Sequence, residues 1–344
     1  MKKIILLGFY LFIPFMCLAT SSLPSAQTFC EHPWENFPVL AGGRVKPLWV
    51  HAKESLQLIT GNKKIINSMN LFCHLSLKGQ GIGNPPALFT SIEHKNLQEF
   101  LSLGTAKEIE IEKLLERKSE IQLEYNSLAK NDGYKKELSR LFSRMNLYEE
   151  IIHGISWTLP TPQNAWTSLS DLAMDPHFFT KPFSFFKNMQ KDFIQSHGKR
   201  YQLESFYFKF HLFSWSMLFI FCALFTLVLL KNKKVGLGFV LLAIILQLTA
   251  MILRILISQR APVTNMYETV MFSGLGSLIV SVFIYRYKKE LLFVIAGLSY
   301  NVLCLFMMTF AHGMLSPQIS PLVPVLRDNF WLSTHVTTVV LSYG

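Results

Sequence analysis

The chain has 344 residues, half of them hydrophobic, with a mean hydropathy of +0.30 and a formal net charge of +11. That is too apolar for an ordinary soluble domain and points to a mainly α, polytopic α-helical membrane protein with an N-terminal exported, helix-containing domain. The basic residues do not imply nucleic acid: they are dispersed or flank apolar runs, no recognition fold accompanies them, and membrane topology accounts for them.

Met1-Lys2-Lys3 precedes an apolar run from Ile4 to Ala19, followed by the small, polar TSSLPSAQ. Residues 1–26 therefore read as a signal peptide or a retained N-terminal anchor. Either reading places residues 27–205 outside the cytoplasm. Cys30 and Cys73 fall in this exported domain, where an oxidising compartment lets them pair or leaves them as thiols. No Cys-x-x-Cys and no Cys-x-x-Cys-His occurs, which argues against a thioredoxin-like motif and against a covalent haem-attachment site in this chain. Cys-Glu-His at 30–32 with Cys-His at 73–74 fits no standard zinc spacing. Residues 27–105 read as irregular, with Gly/Pro clusters such as LAGGRVKP. Residues 106–130 space Ile111, Leu114, Leu115, Tyr125 and Leu128 among charges, and 134–152 space Leu138, Leu141, Phe142, Met145 and Ile152 likewise. Around the turn signal Asn131-Asp132-Gly133 these patterns predict a helical hairpin. The aromatic stretches 184–193 and 207–213 read as an approach to the membrane lipid.

A helical span takes about 20 apolar residues. Runs near 211–230, 235–256, 266–285 and 291–311 supply that, and a fifth begins near 329, so 206–344 reads as a transmembrane domain. Lys231, Lys233 and Lys234 occupy one short loop; Arg286, Lys288 and Lys289 occupy another. The positive-inside rule predicts that both are cytoplasmic, in a multi-pass protein of a bacterial-type inner membrane. Arg254, Arg260 and Arg327 then belong to the external side.

The last run, FWLSTHVTTVVLSYG, carries His335 on a face with Trp331, Thr338, Val339 and Ser342. An ionisable residue at that depth is costly and marks a candidate site. Three readings stay open: an imidazole hydrogen-bonded at the interface, a metal or haem ligand, and a proton relay. A small-molecule transporter would instead need buried charges or broken helices at mid-membrane, and Gln247 alone stands well inside a span. A structural membrane subunit whose exported hairpin binds a partner is the other alternative.

RAPVTNMYETVMF at 260–272 and SPLVPVLRDNFWLSTHVTTVVLSYG at 320–344 together resemble the CcsA/ResC-type (System II) cytochrome c assembly family, over roughly residues 210–344. The matching features are Asn-x-Tyr-Glu at the outer mouth of a span (Asn265, Tyr267, Glu268), a Pro-x-Leu segment, and Trp-Leu-x-x-His-Val opening a later span. GGRVKPL at 42–48 resembles a segment of longer, fused members, although Trp49-Val50 stands where those continue with Asp-Thr. The resemblance implies the haem-handling part of a cytochrome c synthase system. Its cofactor is haem, and His335 is one of two external-side axial ligands. Trp331 is a haem-proximal candidate and His312 a fallback ligand. Asn265, Glu268 and Arg260 shape the entrance, or Tyr267 and Glu268 serve to cap a helix and anchor the interface. The implied partners are apocytochrome c and a ResB-type protein or a missing C-terminal half. The family's tryptophan-rich segment and second external histidine are not in this sequence, so a chain truncated before them is expected.

Overall fold

The computed structural model describes residues 26–61, 65–82, 85–128, 133–161, 165–175, 178–179, 181–311, 315, 317–319, 334–335, 338–339 and 342. The fold is mainly α. The described strands form three short antiparallel pairs.

Helix α1 (Ala26–Cys30) leads to a hairpin of β1 (Pro38–Ala41) and β2 (Arg44–Pro47). Its turn is Gly42-Gly43, with φ of 59° and 75°. Side-chain-bearing residues rarely hold that left-handed geometry, and two such residues in a row match the twist of the flanking strands. Helices α2 (Leu48–Thr60) and α3 (Ser68–Ser76) follow, and a disulfide between Cys30 and Cys73 ties α1 to α3. The two sulfurs are therefore bonded to each other and are not metal ligands. Strand β3 (Phe89–Ser91), α4 (Lys95–Phe100) and β4 (Glu108–Glu110) come next.

Residues 106–130 differ from the single amphipathic helix that their spacing predicts. Glu108–Glu110 pairs with β3, and the helical part is split at Arg117 into α5 (Ile111–Glu116) and α6 (Lys118–Ser127). Glu-Ile-Glu satisfies the two-residue period of a strand as well as a helical one, and the partner strand decides between them. Residues 129–132, including most of the predicted turn, lie outside the described residues. Helix α7 (Gly133–Ile152) buries Leu138, Leu141 and Met145 against Leu114 and Ile121, and Tyr125 meets Phe142 edge-on at 5.9 Å. Strands β5 (Thr158–Pro160) and β6 (Trp166–Ser168), α8 (Leu169–Leu172) and α9 (Phe183–His197) complete this region. Its centre is an aromatic cluster of Phe29, Trp34, Phe72, Trp157 and Phe186.

His51 of α2 is buried beside that cluster. Its Nε2 lies 3.0 Å from the Ser156 carbonyl oxygen and 2.9 Å from Ser156 Oγ. Burial, helped by the nearby Lys46 cation, pulls its pKa down to about 3. A histidine held neutral in the fold takes up its proton on unfolding. Its contribution is whole above the ordinary value near 6.5 and is lost as pH falls towards 3. We expect about 2 kcal/mol less stability at pH 5 than at pH 7. Denaturant unfolding followed by tryptophan fluorescence checks this, and His51→Gln should flatten the dependence.

Helix α10 (Leu203–Phe210) meets α11 (Leu212–Val228) at a bend of 40° on His211, whose φ is 45°. Helices α12 (Lys233–Ser258), α13 (Met266–Lys288) and α14 (Leu291–Phe310) are each long and apolar enough to cross a membrane; the bent pair makes a fourth if it counts as one span. Short links at 229–232 and 289–290 make α11 pair with α12, and α13 with α14. Small residues let the second pair close: a Cβ on Gly297 would lie 2.2 Å from Ser281 Oγ. Phe221, Leu241, Leu303 and Phe306 face outward, as lipid contact requires.

Candidate functional site

The loop between α12 and α13 organises a polar cluster at one mouth of the bundle. Asn265 caps α13, its Oδ1 accepting the Glu268 backbone N–H at 2.8 Å. Glu268 folds back, and its Oε2 accepts from the Thr264 backbone N–H at 3.0 Å and from Thr264 Oγ1 at 2.8 Å. The cap satisfies the Glu268 N–H, and the carboxylate turned back onto Thr264 leaves its other oxygen aimed inward. Arg254, one turn before the end of α12, donates from Nε to that oxygen, Glu268 Oε1, at 2.9 Å. Both side chains are 0% exposed.

Arg254 places three more donors elsewhere. Nη1 donates to the Pro317 carbonyl oxygen at 2.9 Å and to Tyr207 Oη at 3.3 Å, and Nη2 donates to the Gln318 carbonyl oxygen at 3.3 Å. The Tyr267 ring stacks against its guanidinium at 5.0 Å. Tyr267 is thus a wall for a buried cation as well as part of the α13 start. Arg260 stands 3.6 Å from the same oxygen, Oε1.

A second arginine reaches the same place from the N-terminal hairpin. Arg44 of β2 grips buried Glu204 of α10 through both guanidinium nitrogens, at 2.6 Å and 2.5 Å, and its Nε donates to the Ile319 carbonyl oxygen at 2.8 Å. Carbonyls 317 to 319 are therefore held by two guanidiniums from distant parts of the chain. The GGRVKPL segment makes this possible: the diglycine turn starts β2, and Arg44 is its first residue.

Sequence reasoning placed Asn265, Tyr267 and Glu268 at this mouth, and the structure brings them together. It missed the role of Arg254, which it only assigned to the external side, and it missed Glu204. The available signal was a lone arginine inside an apolar run 14 residues before a glutamate. It also saw only Gln247 within the spans. Gln247 Nε2 donates to Ser216 Oγ at 2.8 Å and to Asn301 Oδ1 at 2.9 Å, and Asn301 Nδ2 donates back to Gln247 Oε1 at 3.1 Å.

His335 is helical and exposed, close to Thr338, whose Oγ1 donates to the Thr334 carbonyl oxygen at 2.7 Å. Trp331 and His312 lie outside the described residues. No contact among the described residues joins His335 to the arginine cluster, and among them no group of three or more His, Cys, Asp or Glu side chains could hold a metal ion. A cleft of about 720 Å³ lies between α2, α3 and the start of α11, lined by His32, Trp34, Trp49, Lys53, Met69 and His211.

No protein-family model matches the chain. Over 110 residues it is 31% identical to Protein NrfI of Wolinella succinogenes, a match covering 31% of this chain and 11% of that protein. Over 86 residues it is 31% identical to the cytochrome c biogenesis protein CcsA of Cyanophora paradoxa, covering 24% of this chain and 26% of that one. The matched part thus spans well under half the length of either curated relative. Over these segments, the chain with the buried arginine cluster is similar to NrfI and to a cytochrome c biogenesis protein.

Proposed function

We propose that this chain is a membrane component of cytochrome c biogenesis that carries haem to the external face and presents it to apocytochrome c. The observation that supports it most is the Asn265–Glu268 cap, built from the motif that resembles the CcsA/ResC-type family, in a chain similar to a protein named for that process. The chemistry of the donor set fits haem: the exposed imidazole of His335 is a nitrogen donor that haem iron accepts. Haem, when bound, supplies an iron for axial ligation and vinyl groups for thioether bonds to the cysteines of the apocytochrome. His335 would hold the iron of a bound haem. The second donor comes from His312, a ResB-type partner protein or another part of a longer chain. Glu268 and Arg254 fix the shape of the entrance.

In this reading residues 27–205 are external, in line with a Cys30–Cys73 disulfide, and Lys233 and Lys289 are cytoplasmic. A transporter reading gains the buried Gln247, Ser216 and Asn301. Those groups satisfy one another, which suits helix-to-helix adhesion better than a substrate path.

His335→Ala tests the proposal. The variant should co-purify with less haem and yield less holocytochrome c, and added imidazole should partly restore both by replacing the lost nitrogen donor. Unchanged haem content with no response to imidazole would reject His335 as the ligand.

A further inference from the structure

Arg260 has an unmet need. It is nine-tenths buried, 9% exposed. A guanidinium presents an array of N–H donors and accepts nothing. Among the described residues none of these donors has a hydrogen-bond acceptor, and Nε is sealed from solvent. The nearest anion among the described residues, Glu268 Oε1, is 3.6 Å away and already accepts from Arg254 at 2.9 Å. The other oxygen of Glu268 is occupied twice by Thr264.

The charges around it do not balance. Among the described residues, Arg44, Arg254 and Arg260 face two carboxylates, Glu204 and Glu268. Lys46 beside them closes on its own partner, Glu54, at 2.7 Å. An uncompensated buried cation is expensive, and it is retained where a counter-charge arrives. The planar fork of a guanidinium matches two oxygens of one carboxylate or phosphate.

We propose that Arg260 is the binding point for a single oxyanion, a carboxylate or a phosphate, delivered at this mouth of the bundle. Two sources carry that chemistry: a phospholipid headgroup, and the acid edge of an amphipathic ligand such as a porphyrin. With a porphyrin as the source the site rests on the haem reading and deepens it; with a headgroup it stands apart from that reading, and in neither case does it depend on His335.

The test uses the full chain in phosphatidylcholine nanodiscs and metal-free protoporphyrin IX, which has no iron for His335 to bind. If a porphyrin carboxylate is the ligand, the free acid binds about tenfold or more tightly than the dimethyl ester. That preference disappears in Arg260→Gln and is intermediate in Arg260→Lys, which keeps the charge and loses the fork. If a headgroup phosphate is the ligand, native mass spectrometry of mixed nanodiscs finds phosphatidylglycerol retained by the wild type and lost from Arg260→Gln, with acid and ester bound alike. Either result supports the site and names its source. Wild type and Arg260→Gln behaving alike in both arms overturns it. Should Arg260→Gln fail to fold, equal binding by Arg260→Lys and wild type in both arms overturns it instead. A haem phenotype at His335 with no Arg260 effect separates the two proposals.

Discussion

Arg254→Ala should destabilise the bundle by about 3–5 kcal/mol, the usual cost of removing one partner from a buried ion pair. Alanine deletes the donor to Glu268 Oε1 and those to the 317 and 318 carbonyls, and it empties the space against the Tyr267 ring. The larger part of the loss is the carboxylate left behind, which has Arg260 only at 3.6 Å. Pairing Arg254→Met with Glu268→Gln removes both charges, so the double variant should be less damaged than the sum of its singles. Thermal unfolding of the purified protein reads the effect. Additive losses would mean that the two side chains do not sense each other.

Trp34→Ala should cost a similar amount, about 3–5 kcal/mol, by the rule for large-to-small aromatic changes in a core. Trp34 is buried among the rings of Phe29, Phe37, Trp157 and Phe186, with centroids 4.9 to 5.3 Å away. Its Nε1–H also donates to the Phe29 carbonyl oxygen at 2.8 Å, which tethers α1 next to the disulfide. Trp34→Phe keeps most of the packing and loses that donor, so it should recover more than half of the loss. Denaturant unfolding of the two variants decides the point. Equal losses would assign the whole effect to the hydrogen bond.

The apolar helices α12, α13 and α14 were legible because a bilayer demands long apolar runs whatever the rest of the fold does, while the run from 329 lies mostly outside the described residues. The α13 start was legible too: Asn265 and Glu268 are three residues apart, the spacing of a capping box, and local geometry suffices to interpret it. Arg254 was not. Its role depends on Glu268 in the next helix, Tyr207 in α10 and carbonyls beyond α14, none of which lies near it in sequence. The three-residue strands were hidden for another reason. A stretch such as Glu108–Glu110 is too short to display a period, and only its pairing with Phe89–Ser91 makes it a strand. His335 was noticed because an ionisable residue in an apolar run is costly, and the structure shows it helical and exposed.

The bond from Arg44 to the Ile319 carbonyl joins positions 275 apart. A ribosome finishes the N-terminal region long before it makes residue 319. Glu204 can meet Arg44 early, but carbonyls 317 to 319 arrive only after α11 to α14 have been synthesised. The hairpin therefore acts as a late-closing seal on assembly. An intermediate with any span uninserted leaves one donor of Arg44 without that acceptor, and leaves Arg254 without the 317 and 318 carbonyls.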